Sequence, residues 1–225
     1  MNADMILDNV AAELRPFGLV PRGSFIFDTQ TPAPNLIETA DFKSAIMIGH
    51  FGSSIWPQFT QWRQLQANIS DPLDTWSKEV LKNVATRVGA IAVFPSDKPY
   101  QPFQQWAKRA EGLSASPLGL LIHPHYGLWH AFRGALLFDC EIKSSQPAPA
   151  NHPCDFCLDK PCLSACPVGA FDGTGFAVNR CRNYLANDAF ECLDRGCKAR
   201  LACPVGPEHA YLPDQQRFHM NAFRA

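Results

Sequence analysis

The sequence predicts an α+β chain in two parts, a first domain of about 140 residues and a cysteine-rich module behind it. Three observations predict this. Helix-spaced apolar segments alternate with short strand-like runs over residues 1–143. The stretch KSSQPAPANHP (143–153) has three Pro, two Ser and no large apolar residue, and reads as a linker. Eight of the nine cysteines then fall between Cys154 and Cys203. The expected division is 1–143 for the first domain, 144–153 for the linker and 154–225 for the cysteine module with its tail.

The elements of the first domain follow from spacing and punctuation. Met5, Ile6, Val10 and Leu14 share a helical face, and Pro16-Phe17-Gly18 stops that helix. Ser44 to Gly49 is an apolar run read as a strand. Asp71-Pro72 reads as an N-cap followed by Pro at the first helical position, with Leu73, Trp76, Val80, Leu81, Val84 and Val88 on one face. Gly89 to Phe94 reads as a second buried strand, closed by Pro95. Pro102 opens a helix with Phe103, Trp106, Ala107 and Ala110 inward. Leu118 to Ile122 and Arg133 to Phe138 read as further strands.

Composition narrows the function. Of 225 residues, 46% are apolar, enough for a sizeable core. Lys+Arg is 20 and Asp+Glu is 21, a net charge of -1. Neither nucleic acid nor anionic membrane is therefore expected as a partner held by charge. The opening MNADMILDNV has no basic residue and is not expected to be a secretory signal. No apolar run reaches the ~20 residues that span a bilayer, so a cytoplasmic protein is expected.

Crowded cysteines in a reducing compartment usually mean metal. The first group is Cys154-x2-Cys157-x4-Cys162-x3-Cys166-Pro167, and the second is Cys181, Cys192-x4-Cys197-x5-Cys203-Pro204. Bacterial ferredoxins use C-x2-C-x2-C-x3-C-P, in which the fourth cysteine crosses to the other cluster. By that rule Cys154, Cys157, Cys162 and Cys203 hold one [4Fe–4S] cluster, and Cys166, Cys181, Cys192 and Cys197 a second. The first group has four residues where two are usual, and the second is spread out, but CPVG closes both. Small residues (Ala165, Gly169, Ala170, Gly206) suit close approach of backbone to a cluster. The alternative is a pair of four-cysteine zinc sites, although only one C-x2-C knuckle exists here. Cys140 is expected to be an ordinary buried thiol.

An electron carrier alone does not need some 140 further residues, so the first domain is expected to exchange electrons with something. The stretch RAEGLSASPLGLLIHPHYG (109–127), with a cysteine module in which RCRNYL (180–185) precedes the second group, resembles epoxyqueuosine reductases. ELRPFG, the run from Ser44 to Trp62, SDPLD (70–74) and IHPHYGLWHAFRGALL (122–137) resemble CblC-type cobalamin-processing proteins. The resemblance implies a nitroreductase-like cobalamin-binding domain followed by a dicluster ferredoxin-like module. It implies cobalamin (B12) beside the clusters, reduced from cob(II)alamin to cob(I)alamin for reductive chemistry or for removal of a corrinoid's upper ligand. An electron donor such as a flavodoxin or ferredoxin reductase, and a corrinoid or small-molecule substrate, are the partners implied. A DYH triplet carries the proton-donor Asp of the reductases; this chain has none, and Asp74 stands in roughly the matching place. The helical-repeat extension of many such enzymes has no counterpart here, so a tRNA substrate is not expected.

Individual residues carry two readings each. His123 is a pocket proton handler or a turn histidine bonded to backbone. Tyr126 donates a proton or packs. Arg133 matches the Arg of the CblC-type FRG motif, which contacts a thiol cosubstrate in that family; otherwise it is a buried ion pair with Asp139 or Glu141. Ser114, Ala115 and Ser116 match the reductase loop that follows the cofactor, and Gly119, Gly127 and Trp129 belong to the same cofactor-binding stretch; otherwise they make a small-residue turn and core. Asp74 is catalytic or a helix-start carboxylate. A rival function is a non-catalytic ferredoxin-type carrier whose first domain docks a redox partner, and a third is a zinc-stabilised interaction module.

Overall fold

The computed structural model describes residues 2–36, 41–67, 69–142, 151–173, 175–187 and 190–224. The expected linker lies mostly outside them. The fold is mixed α+β, and the chain divides into two compact units. The first is Met1–His50, Ser54–Gly112 and Ala131–Pro149; the second is Phe51–Ser53, Leu113–His130 and Ala150–Ala225. Leu113–His130 thus groups with the cysteine-rich segment.

In the first unit, α1 (Ala3–Leu14) buries Ile6, Val10 and Leu14 and leaves Met5 exposed. A 3-10 turn at Arg15–Phe17 ends on Gly18 in the left-handed region, and an added Cβ there would lie 1.9 Å from the Ser54 carbonyl oxygen. Strand β1 (Val20–Ile26) pairs antiparallel with β2 (Ser44–Phe51), with an irregularity between Pro21 and Ser24 where the polar run Arg22-Gly23 interrupts the ladder. Then come α2 (Trp56–Gln64) and α3 (Pro72–Val88). Asp71 occupies the N-cap position of α3 but is itself left-handed and makes no side-chain cap, so Pro72 rather than a capping bond marks the start.

Strand β3 (Ile91–Val93) pairs antiparallel with β6 (His130–Phe138). The sheet order is β1-β2-β6-β3, so β3 is an edge. That corrects the expectation of a buried strand: Ile91 is exposed, and only Val93 of the three is buried. Helix α4 (Phe103–Glu111) lays Phe103, Trp106, Ala107 and Ala110 inward, against β1.

A buried ion pair ties α4 to β1. Arg22, with no exposed side-chain surface, donates from Nε and Nη2 to the two Glu111 carboxylate oxygens, both at 2.5 Å. Its Nη1 reaches the His50 carbonyl at 3.3 Å, and its guanidinium lies over the Phe132 ring at 4.5 Å. Burial pushes the Glu111 carboxyl up, and the Arg22 bonds oppose that.

In the second unit, β4 (Ser114–Ala115) and β5 (Leu121–Ile122) form a small hairpin. The strand expected over 118–122 is only two residues long, because Gly119 turns left-handed and its N–H bonds back to the Ser116 carbonyl. Helices α5 (Pro161–Ser164), α6 (Val178–Asn187), α7 (Phe190–Arg195), α8 (Lys198–Leu201) and α9 (Pro213–Arg224) complete the unit. Helix α5 packs on α8, and α9 packs on α6 and α7. Among the described residues no helix is long and apolar enough to cross a membrane.

Candidate metal centre and its surroundings

The eight clustered cysteines assemble as two groups of four. Cys154, Cys157, Cys162 and Cys203 together line one narrow cavity whose other walls include Leu118, Ile122, Leu128 and Val205. Burial, then the neighbouring Cys203, Cys162 and Cys157, push the Cys154 thiol up to about 11. The other four find one another in the same way: burial, then Cys197, Cys166 and Cys192, push Cys181 up to about 11. Cys162, Cys192, Cys197 and Cys203 are raised as well, each chiefly by burial. All nine cysteines of the chain are free thiols, and Cys140, expected buried, is half-buried.

Local structure explains how a cysteine from one end of the module reaches the other. Each CPVG run is a tight turn on a left-handed glycine, Gly169 and Gly206. In the first, the Gly169 N–H returns to the Cys166 carbonyl and the Ala170 N–H donates to Cys166 Sγ at 3.3 Å. Cys197 is the N-cap residue of helix α8, and its thiol faces the N–H groups of Ala199 and Arg200; Lys198 N–H serves Cys192, and Val205 N–H serves Cys203. Such N–H groups favour sulfur in its anionic, metal-bound form and tune a cluster's potential.

Four thiols at one place are poorly disposed to ionise unaided, since each thiolate raises the next. A polynuclear cation relieves this, and its binding must expel protons. Among the described residues no three His, Cys, Asp or Glu side chains converge to the spacing that a single ion requires. The donor set of four sulfurs per group, in an apolar wall with N–H groups aimed at sulfur, fits a sulfur-ligated cage.

The loop His123–Gly127 belongs to this unit. Gly127 is left-handed, and an added Cβ would sit 1.9 Å from the Val205 carbonyl oxygen; at Gly206 it would sit 2.5 Å from the His125 carbonyl oxygen. Two glycines thus let this loop and the second CPVG turn touch backbone to backbone. His123 Nδ1 accepts the N–H groups of His125 and Tyr126 at 3.0 and 3.1 Å, the turn-histidine arrangement. Tyr126 stacks on Phe51 at 3.7 Å between ring centroids and also meets the His209 ring. Trp129 is 1% exposed, and Arg200 lies over its ring. Ser114 and Ala115 are exposed on β4, Ser116 is buried, and Gly119 has open space where a Cβ would be. His152, which sequence reasoning missed, accepts the Cys154 N–H at Nδ1 and meets the Ala115 carbonyl through Nε2 at 3.1 Å. A His two residues before a cysteine group was its only sequence signal.

In the first unit, Asp74 and Arg133 come together. Arg133 was expected to pair with Asp139 or Glu141 if buried; its Nη1 instead lies 4.0 Å from Asp74 Oδ1. Both line a cavity of about 200 Å³ with Ser77, Lys78, Phe94, Ser96 and Phe132. A larger one, about 560 Å³, is lined by Asp41, Phe42, Lys43, Ile91, Leu137 and Asp139, none of them expected to line a site.

Solved structures share this architecture. An epoxyqueuosine reductase superposes with a TM-score of 0.58 over 96% of this chain and 69% of its own, at 13% identity. The B12-trafficking protein CblC of C. elegans superposes with 0.57 over 99% of this chain and 95% of its own, at 15% identity. The chain has the epoxyqueuosine reductase and CblC fold. The epoxyqueuosine reductase of Streptococcus thermophilus gives 0.55 over 92% of this chain and 66% of its own, at 18% identity. No protein-family model and no curated protein matches the sequence.

Within that fold the positions open to a ligand are unequal. For a corrinoid the fit is partial: Ser114, Ala115, Asp74 and Arg133 are accessible or line a cavity, whereas Trp129 and Gly127 are taken up by packing inside their own unit.

Proposed function

We propose that the chain is an iron–sulfur oxidoreductase that feeds single electrons to a bound cobalamin, for reductive chemistry or for removal of a corrinoid's upper ligand. The observation that carries this reading is the cavity lined jointly by Cys154, Cys157, Cys162 and Cys203, a set that takes its last member from the far end of the module. Cys166, Cys181, Cys192 and Cys197 would hold the second cage. The epoxyqueuosine reductase and CblC fold supports the corrinoid half of the reading, since the C. elegans neighbour is a B12-trafficking protein. When bound, [4Fe–4S] cages supply electrons at low potential, and the corrinoid's own chemistry does the rest.

The chain's residues would do the following. The walls Leu118, Ile122 and Leu128 keep water from the first thiol set. Backbone N–H groups of α8 and the two CPVG turns stabilise anionic sulfur. Arg133 orients an anionic or polar group in the 200 Å³ cavity, and Asp74, half-exposed beside it, handles a proton there. Tyr126 and His123, both committed to the Phe51 stack and the turn, position the loop on the second CPVG turn. Free thiols in this number suit a reducing, cytoplasmic setting.

The test is anaerobic reconstitution with iron and sulfide, followed by titration with hydroxocobalamin. A broad visible absorbance that dithionite bleaches, and a cobalamin spectrum that shifts and stays with the protein, support the reading. Clusters without cobalamin retention would leave a ferredoxin-type carrier.

A further inference from the structure

Arg200 carries a positive charge with no carboxylate beside it among the described residues. Its guanidinium carbon lies 4.5 Å from the Trp129 ring centroid and 4.5 Å from that of Tyr211. Nη2 donates to the Leu128 carbonyl at 2.5 Å, and Nε is buried with no partner. Two aromatic faces and one carbonyl hold a guanidinium in place but do not neutralise it. A charge so fixed implies an anion nearby.

Its place in the chain says which. Arg200 sits on α8, three residues after Cys197 of one thiol set and three before Cys203 of the other. Its own N–H faces the Cys197 thiol. A cage bound by four thiolates is anionic and becomes more so on reduction, so a fixed cation favours the reduced form.

We propose that Arg200, clamped between Trp129 and Tyr211, is a counter-charge of the cysteine cage that includes Cys197 and raises its reduction potential. This rests on the iron–sulfur reading above. It assigns Trp129 to holding that charge rather than to a cofactor face.

The test is a redox titration followed by electron paramagnetic resonance on reconstituted wild type, Arg200→Gln, Arg200→Met and Arg200→Lys, with iron counted in each. Removing the charge should shift the reduction equilibrium of that cage by about tenfold toward the oxidised form, about 59 mV lower. Arg200→Lys should stay within about threefold of wild type. Failure of both neutral variants to keep iron, with Arg200→Lys keeping it at wild-type potential, supports the same role. Neutral variants that hold iron at unchanged potential overturn it, as does loss of iron from Arg200→Lys. A wild-type chain that takes up no iron sinks the iron–sulfur reading instead.

Discussion

Arg133 Nη1 lies 4.0 Å from Asp74 Oδ1, the two side chains lining one 200 Å³ cavity of the first unit. Asp74 is half-exposed and the separation is long, so the pair adds little to folding, about 0–1 kcal/mol. Its value is an oriented cation and carboxylate facing a space. Asp74→Asn should therefore leave the urea midpoint almost unmoved. Arg133→Gln should weaken hydroxocobalamin binding about tenfold, about 1.4 kcal/mol. Equilibrium urea unfolding checks the first, and spectrophotometric titration of the reconstituted protein with hydroxocobalamin checks the second.

The Arg22–Glu111 pair behaves in the opposite way. Glu111→Ala leaves a guanidinium buried without its carboxylate, and destabilisation of about 3–5 kcal/mol is expected. Equilibrium urea unfolding, followed by tryptophan fluorescence, measures it. Replacement of both residues by apolar ones of similar volume should recover most of the loss.

Gly127→Ala tests the backbone contact between the His123–Gly127 loop and the second CPVG turn. The new Cβ would fall 1.9 Å from the Val205 carbonyl oxygen at a left-handed residue. The turn must move, and Cys203 with it. The variant should keep the secondary structure of the first unit while losing about half its iron, because Cys203 serves one set of four. Gly119→Ala, equally left-handed but with open space around it, should cost about 1 kcal/mol and no iron.

The metal-free protein should also respond to alkali. Cys154 and Cys181 are raised from 9.0 to about 11 in the fold. A raised acid holds its proton more tightly folded than unfolded, so its contribution is full below pH 9 and is lost as pH climbs to about 11. Melting temperature of the metal-free form should fall across that window. Iron-loaded protein, whose sulfurs have already given up their protons, should show no such fall.

What the sequence made legible follows the physics of short range. Helices α3 and α4 were readable because Pro72 and Pro102 mark their starts and their apolar residues repeat at helical spacing. Strand β1 was missed, since VPRGSFI hides Arg22 and Gly23 inside it; the partner that justifies them, Glu111, is 89 residues away. Helix α2 buries Trp56 and Phe59 and α9 buries Gln215, so neither carries the repeated apolar face that announces a helix. The expected division of the eight thiols into two sets of four rests on ligand spacing, which obeys local geometry, and on the two Cys-Pro endings. The stack of Arg200 on Trp129 and Tyr211 was not legible, since it joins residues far apart in sequence. His123 carried both readings in the sequence, proton handler and turn histidine, and its Nδ1 takes up the backbone N–H groups of the second.

The most direct measurement is the iron, zinc and acid-labile sulfide content of anaerobically isolated protein. Two cages require about eight iron and eight sulfide per chain, with all eight clustered cysteines protected from alkylation. Protein that carries zinc, or no iron at all after reconstitution, would contradict the account.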